Sequence, residues 1–593
     1  MKLILSTYLR TMKERDEFDV LIPDLLQTMG ITPITKGQRG TRQSGVDLAA
    51  VGPDITVSES DPTYGKEKLF LFVLKQGDID RNVWNGQGEQ SVKPSIDEIF
   101  TDYIRSHISA NHRDLPKKII LGTTGDMKEN VKPSWSGLTE FYHDKAAFDF
   151  WGANEVAGYI EKHMLNEHLF KDDDRTDLRR TLALIGEPTY TCRDFDNLLR
   201  RQLGLDVSGN IEAEFSNDQL HKALVRINMA VRMVSGWACN DGDTKAALQV
   251  SERALLWSWH RLLKQQTRST KLKTVYADLC GTYAYNAAAY FKKIQPYCLV
   301  RDGLARQTES CNLFTLTLFE HIGLLASIGL FITYCGAGND ELYDYIELND
   351  IADALVGVLK NNPATSSPRL DGQSIDITLA VIFLLIMDRH DEVIEWVRKM
   401  INRTCSMFYM RRGFPVDSDN IEDLIELDEA RPSRERREEL MQTSWLLPTL
   451  AGWCGILNQE QLYGELHNTM TKDDFPNICR QLWHPVANDI FNFMYYQNAC
   501  RETGECEAPI IFEEGMNEYT DRMRQIMASE RHQVVEASPA HQADLFGIDF
   551  VSSRHFRNPV APSFWYRFLP EKPDAILAEN AEQTQVAEQQ IPT

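Results

Sequence analysis

Residues Leu69 to Leu74 read Leu-Phe-Leu-Phe-Val-Leu, an unbroken apolar and aromatic run that passes straight into Lys75. This is the composition of a strand buried on both faces. Such a strand belongs to a layered domain, with helices packed on a sheet. The lysine at its end either carries its ammonium out to water or meets an anionic partner.

The flanking sequence supplies the layers. Phe18–Gly30 has apolar residues at Phe18, Leu21, Ile22, Leu25, Leu26 and Met29, helical spacing stopped by Gly30. Pro23 falls near its first turn, where proline is tolerated. Gly45–Gly52 reads as a strand between glycines, Lys117–Gly125 as a short buried strand, and Ala147–Leu165 as a last strand followed by a helix. Ser95–Ile108 reads as an amphipathic helix, with Ser95 as N-cap and Glu98 at the capping-box position. The order helix–strand–strand–helix–strand–strand–helix predicts a compact α/β domain over residues 1–170.

Beyond about Asp172 strand patterns nearly vanish. Long helical stretches, several paired across short polar turns, predict a large all-α region over residues 171–570, with irregular helical repeats and room for two subdomains. Residues 571–593 are polar and poor in aromatics, the composition of a disordered tail. Leu313–Cys335 is long enough to span a bilayer, but Glu320 and His321 sit near its middle, so a buried bundle helix is expected. The N-terminal apolar run is too short for a signal peptide. The 11 cysteines contain no CxxC pair, as reduced thiols in cytoplasmic cores would have it.

The net charge of −23 repels a polyanion in bulk, so any contact with nucleic acid must be local or run through metal ions. Residues 1–170 carry 20 basic and 25 acidic side chains, so most of the excess lies further on. The basic loop Lys36–Gly45, just before Asp47, offers Lys36, Arg39 and Arg42 to a phosphate backbone.

Three chemically useful side chains fall at element ends in this domain. Asp19 is on the first helix, Asp47 on the Gly45–Gly52 strand, and Lys75 ends the next strand. A hairpin pairing of the two strands brings Asp47 beside Lys75, and the helix can bring Asp19 over that edge. Metal-assisted phosphodiester hydrolysis uses such a trio. Mg²⁺ (or Mn²⁺) takes one or two carboxylates, waters and a phosphate oxygen. Asp47 is the expected main ligand, with Asp19 and the carbonyl of Leu74 supplying further oxygens. Lys75 would orient or deprotonate the attacking water and offset charge on the phosphorane.

"EFDVLIPDLLQTMG", "GVDLAA", "FVLKQG", "IILGTTGDMKENV" and "FDFWGANEVAGYI" follow one another in an order and spacing that resemble the Mrr-like branch of the PD-(D/E)xK restriction-endonuclease superfamily. The resemblance implies a restriction-endonuclease-like N-terminal domain, a metal-dependent endonuclease acting on double-stranded DNA, and a role in restriction or anti-phage defence. Two positions depart from the family pattern. The usual helix Glu is Asp19, with Glu17 close by, and the usual Glu or Gln two before Lys75 is Val73, which cannot bind metal. Asp78, Asp80, Glu89 and Gln90 are the candidates for a migrated acid or amide. The helical region is expected to restrain the nuclease or bind a protein trigger or partner, and cutting two strands brings a homo-oligomer into consideration. The alternative is an inactive nuclease-like scaffold that binds nucleic acid or protein. Asn111–Lys118, resembling a kinase catalytic loop, and His390–Asp391 carry no function on this reading. Arg554, Arg557 and Arg567, set among aromatics, are expected to pack onto the helical body.

Overall fold

The computed structural model describes residues 5–6, 9–10, 12, 17–35, 44–58, 60–86, 91–164, 172–187, 190–265, 269–304, 311–335, 346–410, 415–427, 432–473, 475, 478–480, 482–485, 515–529 and 534–571. The chain forms two compact units, Met1–Ala254 and Leu255–Thr593.

The first unit holds a five-stranded mixed sheet, in chain order β1 (Thr32–Pro33), β2 (Leu48–Pro53), β3 (Glu67–Lys75), β4 (Lys117–Thr123) and β5 (Ala147–Trp151). β1, β2 and β3 are antiparallel neighbours; β3, β4 and β5 run parallel. Parallel neighbours need crossover connections. Here these carry the helical stretch that begins at Val92–Glu98 and the helix Lys132–Phe141.

The central strand β3 is covered on both sides. Leu69, Leu71 and Val73 face one apolar cluster with Ile96, Ile99, Ile119 and Leu121. On the other face Phe72 meets Trp151 edge-on, ring centres 5.3 Å apart. No side chain from Leu69 to Leu74 is more than 2% exposed. Burying each is worth about 1.5–3 kcal/mol, which is why this run dictates the sheet. α1 (Asp19–Thr28) lies on the Phe72 face and buries Ile22, Leu25 and Leu26.

Two local features differ from expectation. The helix Lys132–Phe141 was not expected; it buries Leu138 and packs Trp135 partly against the same apolar cluster. The middle helix begins at Val92, not after Ser95. Pro94 is accepted in its first turn. Ser95 is thus interior, and its hydroxyl donates back to the Ser91 carbonyl at 2.9 Å.

Beyond Trp151 the described residues form helices and no strand, only isolated bridges. Among the described residues one helix, in the second unit, is long and apolar enough to cross a membrane, and 83% of its apolar window is buried. It spans Cys311–Cys335. Gly329 leaves room for the Phe383 ring, whose nearest atoms lie 2.4 Å from where a Cβ would stand. His321 is bonded to the Tyr290 hydroxyl at 2.5 Å. Of the three arginines near the C-terminus, Arg554 and Arg557 turn inward, while Arg567 is exposed and lies over the Phe564 ring, 4.9 Å from its centroid. Arg554 donates to Ser327 at 3.0 Å, and Arg557 grips Asp376 at 3.1 Å, Asp419 at 3.2 Å and the Gly372 carbonyl at 2.8 Å. The tail 572–593 lies outside the described residues.

Candidate active site

The approach to Asp47 is tightly specified. Gly45 has φ +81°, and a Cβ there would stand 2.0 Å from the Ser95 carbonyl oxygen. Only glycine meets both conditions. The Ser44 hydroxyl donates to the Asp102 carboxylate at 2.5 Å, and Val46 is 4% exposed. The chain therefore enters β2 from a fixed anchor.

At Asp47 the ladder shifts. Leu48 faces Phe72, yet the Asp47 N–H also turns to the Phe72 carbonyl, at 2.9 Å. Two residues against one is a bulge-like offset, and such offsets re-aim a side chain. The Asp47 carboxylate takes the next open position along β3, where Oδ2 accepts the Leu74 N–H at 2.7 Å. In an extended strand the N–H and C=O of one residue point to the same side. The Leu74 carbonyl thus faces the Asp47 side, while the Lys75 carbonyl faces β4 and accepts the Thr124 N–H at 3.3 Å.

Lys75 and Asp47 are both half-buried. The start of α1 sits at this same end of the sheet. A Cβ on Gly122 would be 2.8 Å from Leu74 Cδ2 and 3.7 Å from the Phe18 ring. Asp19 follows Phe18 and is exposed in the first helical turn, where a carboxylate also favours the helix dipole. Glu17 is half-buried just before it. The structure therefore collects Asp47, Leu74 and Lys75 at one sheet end, with the Asp19 turn of α1 beside it.

Val73 is 0% exposed within the apolar cluster, so the position where the resemblance implied an acid or amide is solid hydrocarbon. Two of the four candidates for a migrated group have structural work instead. Asp78 pairs with Lys128 at 2.5 Å and Arg10 at 3.6 Å and accepts the Asp126 N–H at 2.9 Å. The Lys128 bond, more than any other contact, holds its carboxyl below the ordinary range. Asp80 caps the helix Arg81–Asn85, accepting from Asn82 N–H at 2.8 Å and Val83 N–H at 2.9 Å. Glu89, Gln90, Lys36, Arg39 and Arg42 lie outside the described residues.

Among the described residues no three His, Cys, Asp or Glu side chains gather as a metal cluster. The donor set at this end is one carboxylate, Asp47, and one carbonyl, Leu74. With waters and a substrate phosphate this suits a hard cation that keeps most of its hydration, as Mg²⁺ does.

The other end of the same strands holds a group that the sequence reading missed. Lys68 and Lys118, 7% and 3% exposed, converge on Asp54, which is 0% exposed. Lys68 Nζ is 2.8 Å and Lys118 Nζ 3.3 Å from Asp54 Oδ2, and Lys118 also reaches Asp149 at 3.3 Å. The Thr56 hydroxyl donates to Asp54 at 2.6 Å. Burial alone would raise the Asp54 pKa, but the Lys68 bond, the Thr56 bonds and the Lys118 charge together lower it. The signal was present: lysines open two adjacent apolar strands, and a buried lysine needs an acid.

Comparisons with family models, with curated proteins and with solved structures find no match for this chain.

Proposed function

We propose that the N-terminal domain is a metal-dependent endonuclease that hydrolyses phosphodiester bonds of double-stranded DNA, a cytoplasmic restriction or anti-phage effector controlled by its helical region. The observation that carries this reading is the Asp47 carboxylate held on the Leu74 N–H, with Lys75 the next residue. A bound Mg²⁺ or Mn²⁺, held by Asp47 and the Leu74 carbonyl with Asp19 nearby, would supply charge stabilisation for the phosphate. The chain's own work is then positional. The Leu74 N–H orients the carboxylate. Lys75 is the residue to hold or deprotonate the attacking water and to offset charge on the phosphorane. The acidity outside the first 170 residues fits control, since negative charge repels DNA.

A second reading rests on the buried Val73. Without an acid there, the domain would bind nucleic acid or a protein partner and cut nothing. One experiment separates the two. Supercoiled plasmid is incubated with Mg²⁺ or Mn²⁺ and the full chain, Asp47→Ala or Lys75→Ala. The nuclease reading expects cutting by the parent and a loss of about 10²–10⁴-fold in each variant. Cutting that persists in both variants excludes this site, and metal-independent retention of DNA with no cutting selects the scaffold.

A further inference from the structure

We propose that Thr123 and Thr124 are positioning residues that set the placement of Lys75. The geometry stands by itself; its consequence for catalysis rests on the nuclease reading. The ladder between β3 and β4 ends at the pair Lys75 and Thr123. Past that pair the chain of β3 is held by threonine groups. The Thr124 N–H donates to the Lys75 carbonyl at 3.3 Å. The Gly77 N–H donates to the Thr124 hydroxyl oxygen at 2.8 Å, and the Thr123 hydroxyl donates to the Gly77 carbonyl. The Thr123 oxygen also accepts the Gly125 N–H at 3.3 Å. Both threonines are 0% exposed, so water cannot replace a lost partner.

The two loops meet without slack. A Cβ on Gly125 would stand 2.5 Å from the Gly77 carbonyl carbon and 2.6 Å from the Asp78 nitrogen. Gly77, with φ +71°, makes the turn that allows this approach. Ile79 then bridges to Met127. Asp47 fixes the strand end from the β2 side through Leu74, and the threonines fix it from the β4 side through Lys75 and Gly77. Lys75 sits between the two anchors. A side chain that must meet a water or a phosphate gains from this, because small misplacement costs large factors in rate.

The test uses the full chain and an amine-acetylating reagent, with labelling of each lysine followed by mass spectrometry. Thr123→Val and Thr124→Val delete each hydroxyl at nearly constant shape; Thr123→Ser and Thr124→Ser keep it. Positioning expects the Lys75 labelling rate to change by about threefold or more in the valine variants, to return in the serine variants, and to leave exposed Lys132 unchanged. On plasmid, kcat falls about tenfold with KM nearly constant. Lys75 labelling unchanged in folded valine variants overturns the proposal even if the parent cuts DNA. Labelling that responds in a parent that never cuts sustains the clamp and removes the nuclease reading. Hydrogen exchange at the Gly77 amide of the parent gives a check that needs no variant. Slow exchange supports the clamp, and exchange at the rate of an open amide overturns it.

Discussion

Lys68 and Lys75 lie on the same strand, and the protein treats them in opposite ways. Lys68 is sealed, 7% exposed, and shares Asp54 with Lys118. Lys75 is half-buried at the far end, one residue past the Leu74 N–H that the Asp47 carboxylate occupies. Each end thus holds an aspartate that flanks β2 and a lysine of β3, but only Asp54 and Lys68 form an ion pair. One end is closed by neutralisation and hydroxyl bonds. The other is placed where parallel strands finish, the position at which α/β sheets commonly bind ligands. Residue types alone do not distinguish a structural ion cluster from a working site; the degree of closure does.

The largest expected effect lies at the closed end. Asp54→Ala leaves two buried ammoniums; Lys118 keeps Asp149 at 3.3 Å, and Lys68 keeps the Thr63 hydroxyl at 3.3 Å. Breaking a buried pair from one side costs about 3–5 kcal/mol. Urea unfolding of the full chain, followed by fluorescence, should show the first unit melting early. A loss below about 1 kcal/mol would mean that water reaches these lysines, and the contrast between the two ends would fail.

Next comes Val73→Glu, which writes the acid of the restriction-endonuclease pattern into β3. Val73 is 0% exposed among Ile79, Ile119 and Leu121, so the new carboxylate has apolar neighbours. We expect a cost of about 2–3 kcal/mol in stability and no gain in metal-dependent cutting. A gain in cutting would show that the apolar packing opens toward the site, and would sharpen the likeness to the restriction-endonuclease pattern.

The pH dependence of the two ends should also differ. The Asp54 pKa is lowered from its ordinary 3.8, against the effect of burial and because of Lys68, Thr56 and Lys118. A carboxyl with a depressed folded value stabilises fully above 3.8 and loses that contribution as pH falls through the lower folded value. The stability gap between the parent and Asp54→Asn should therefore be constant near neutrality and close below about pH 4. A gap that widens on acidification would reverse the sign assigned to this group.

Much of the first unit was legible from residue order. The strand Leu69–Lys75, the strand beginning near Asp47, the strands at Lys117 and Ala147 and the helix Asp19–Thr28 all stand where apolar periodicity puts them. The two-residue strand Thr32–Pro33 is too short to show an alternation, and in the helix Lys132–Phe141 the breakers Pro133 and Gly137 read as loop residues. Ser95 looked like a cap because a serine before an apolar run with Glu98 three residues later fits the capping box. Pro94 in the first turn moved the true start upstream. At the site, the joint location of Asp47 and Lys75 followed from strand order. The bond to Leu74 did not, since it depends on a one-residue offset in the ladder at Leu48. The threonine contacts were equally hidden, being hydroxyl bonds to backbone across parallel strands.

The smallest effect is the one that tests Lys75 as a working residue and not a structural one. It lies in none of the described ion pairs, and its neighbour Leu74 already anchors the strand through Asp47. Lys75→Met keeps the length of the side chain and removes the ammonium. A lysine that contributes little to folding should then change the unfolding free energy from urea titration by no more than about 0.5 kcal/mol, as ordinary partly exposed substitutions do. Lys68→Met should cost several times that, because Asp54 would lose its shortest ammonium contact, 2.8 Å, inside the sheet. If Lys75→Met proved as costly as Lys68→Met, both ends of β3 would be structural ion sites. The open end would then have no claim to chemistry that the closed end lacks.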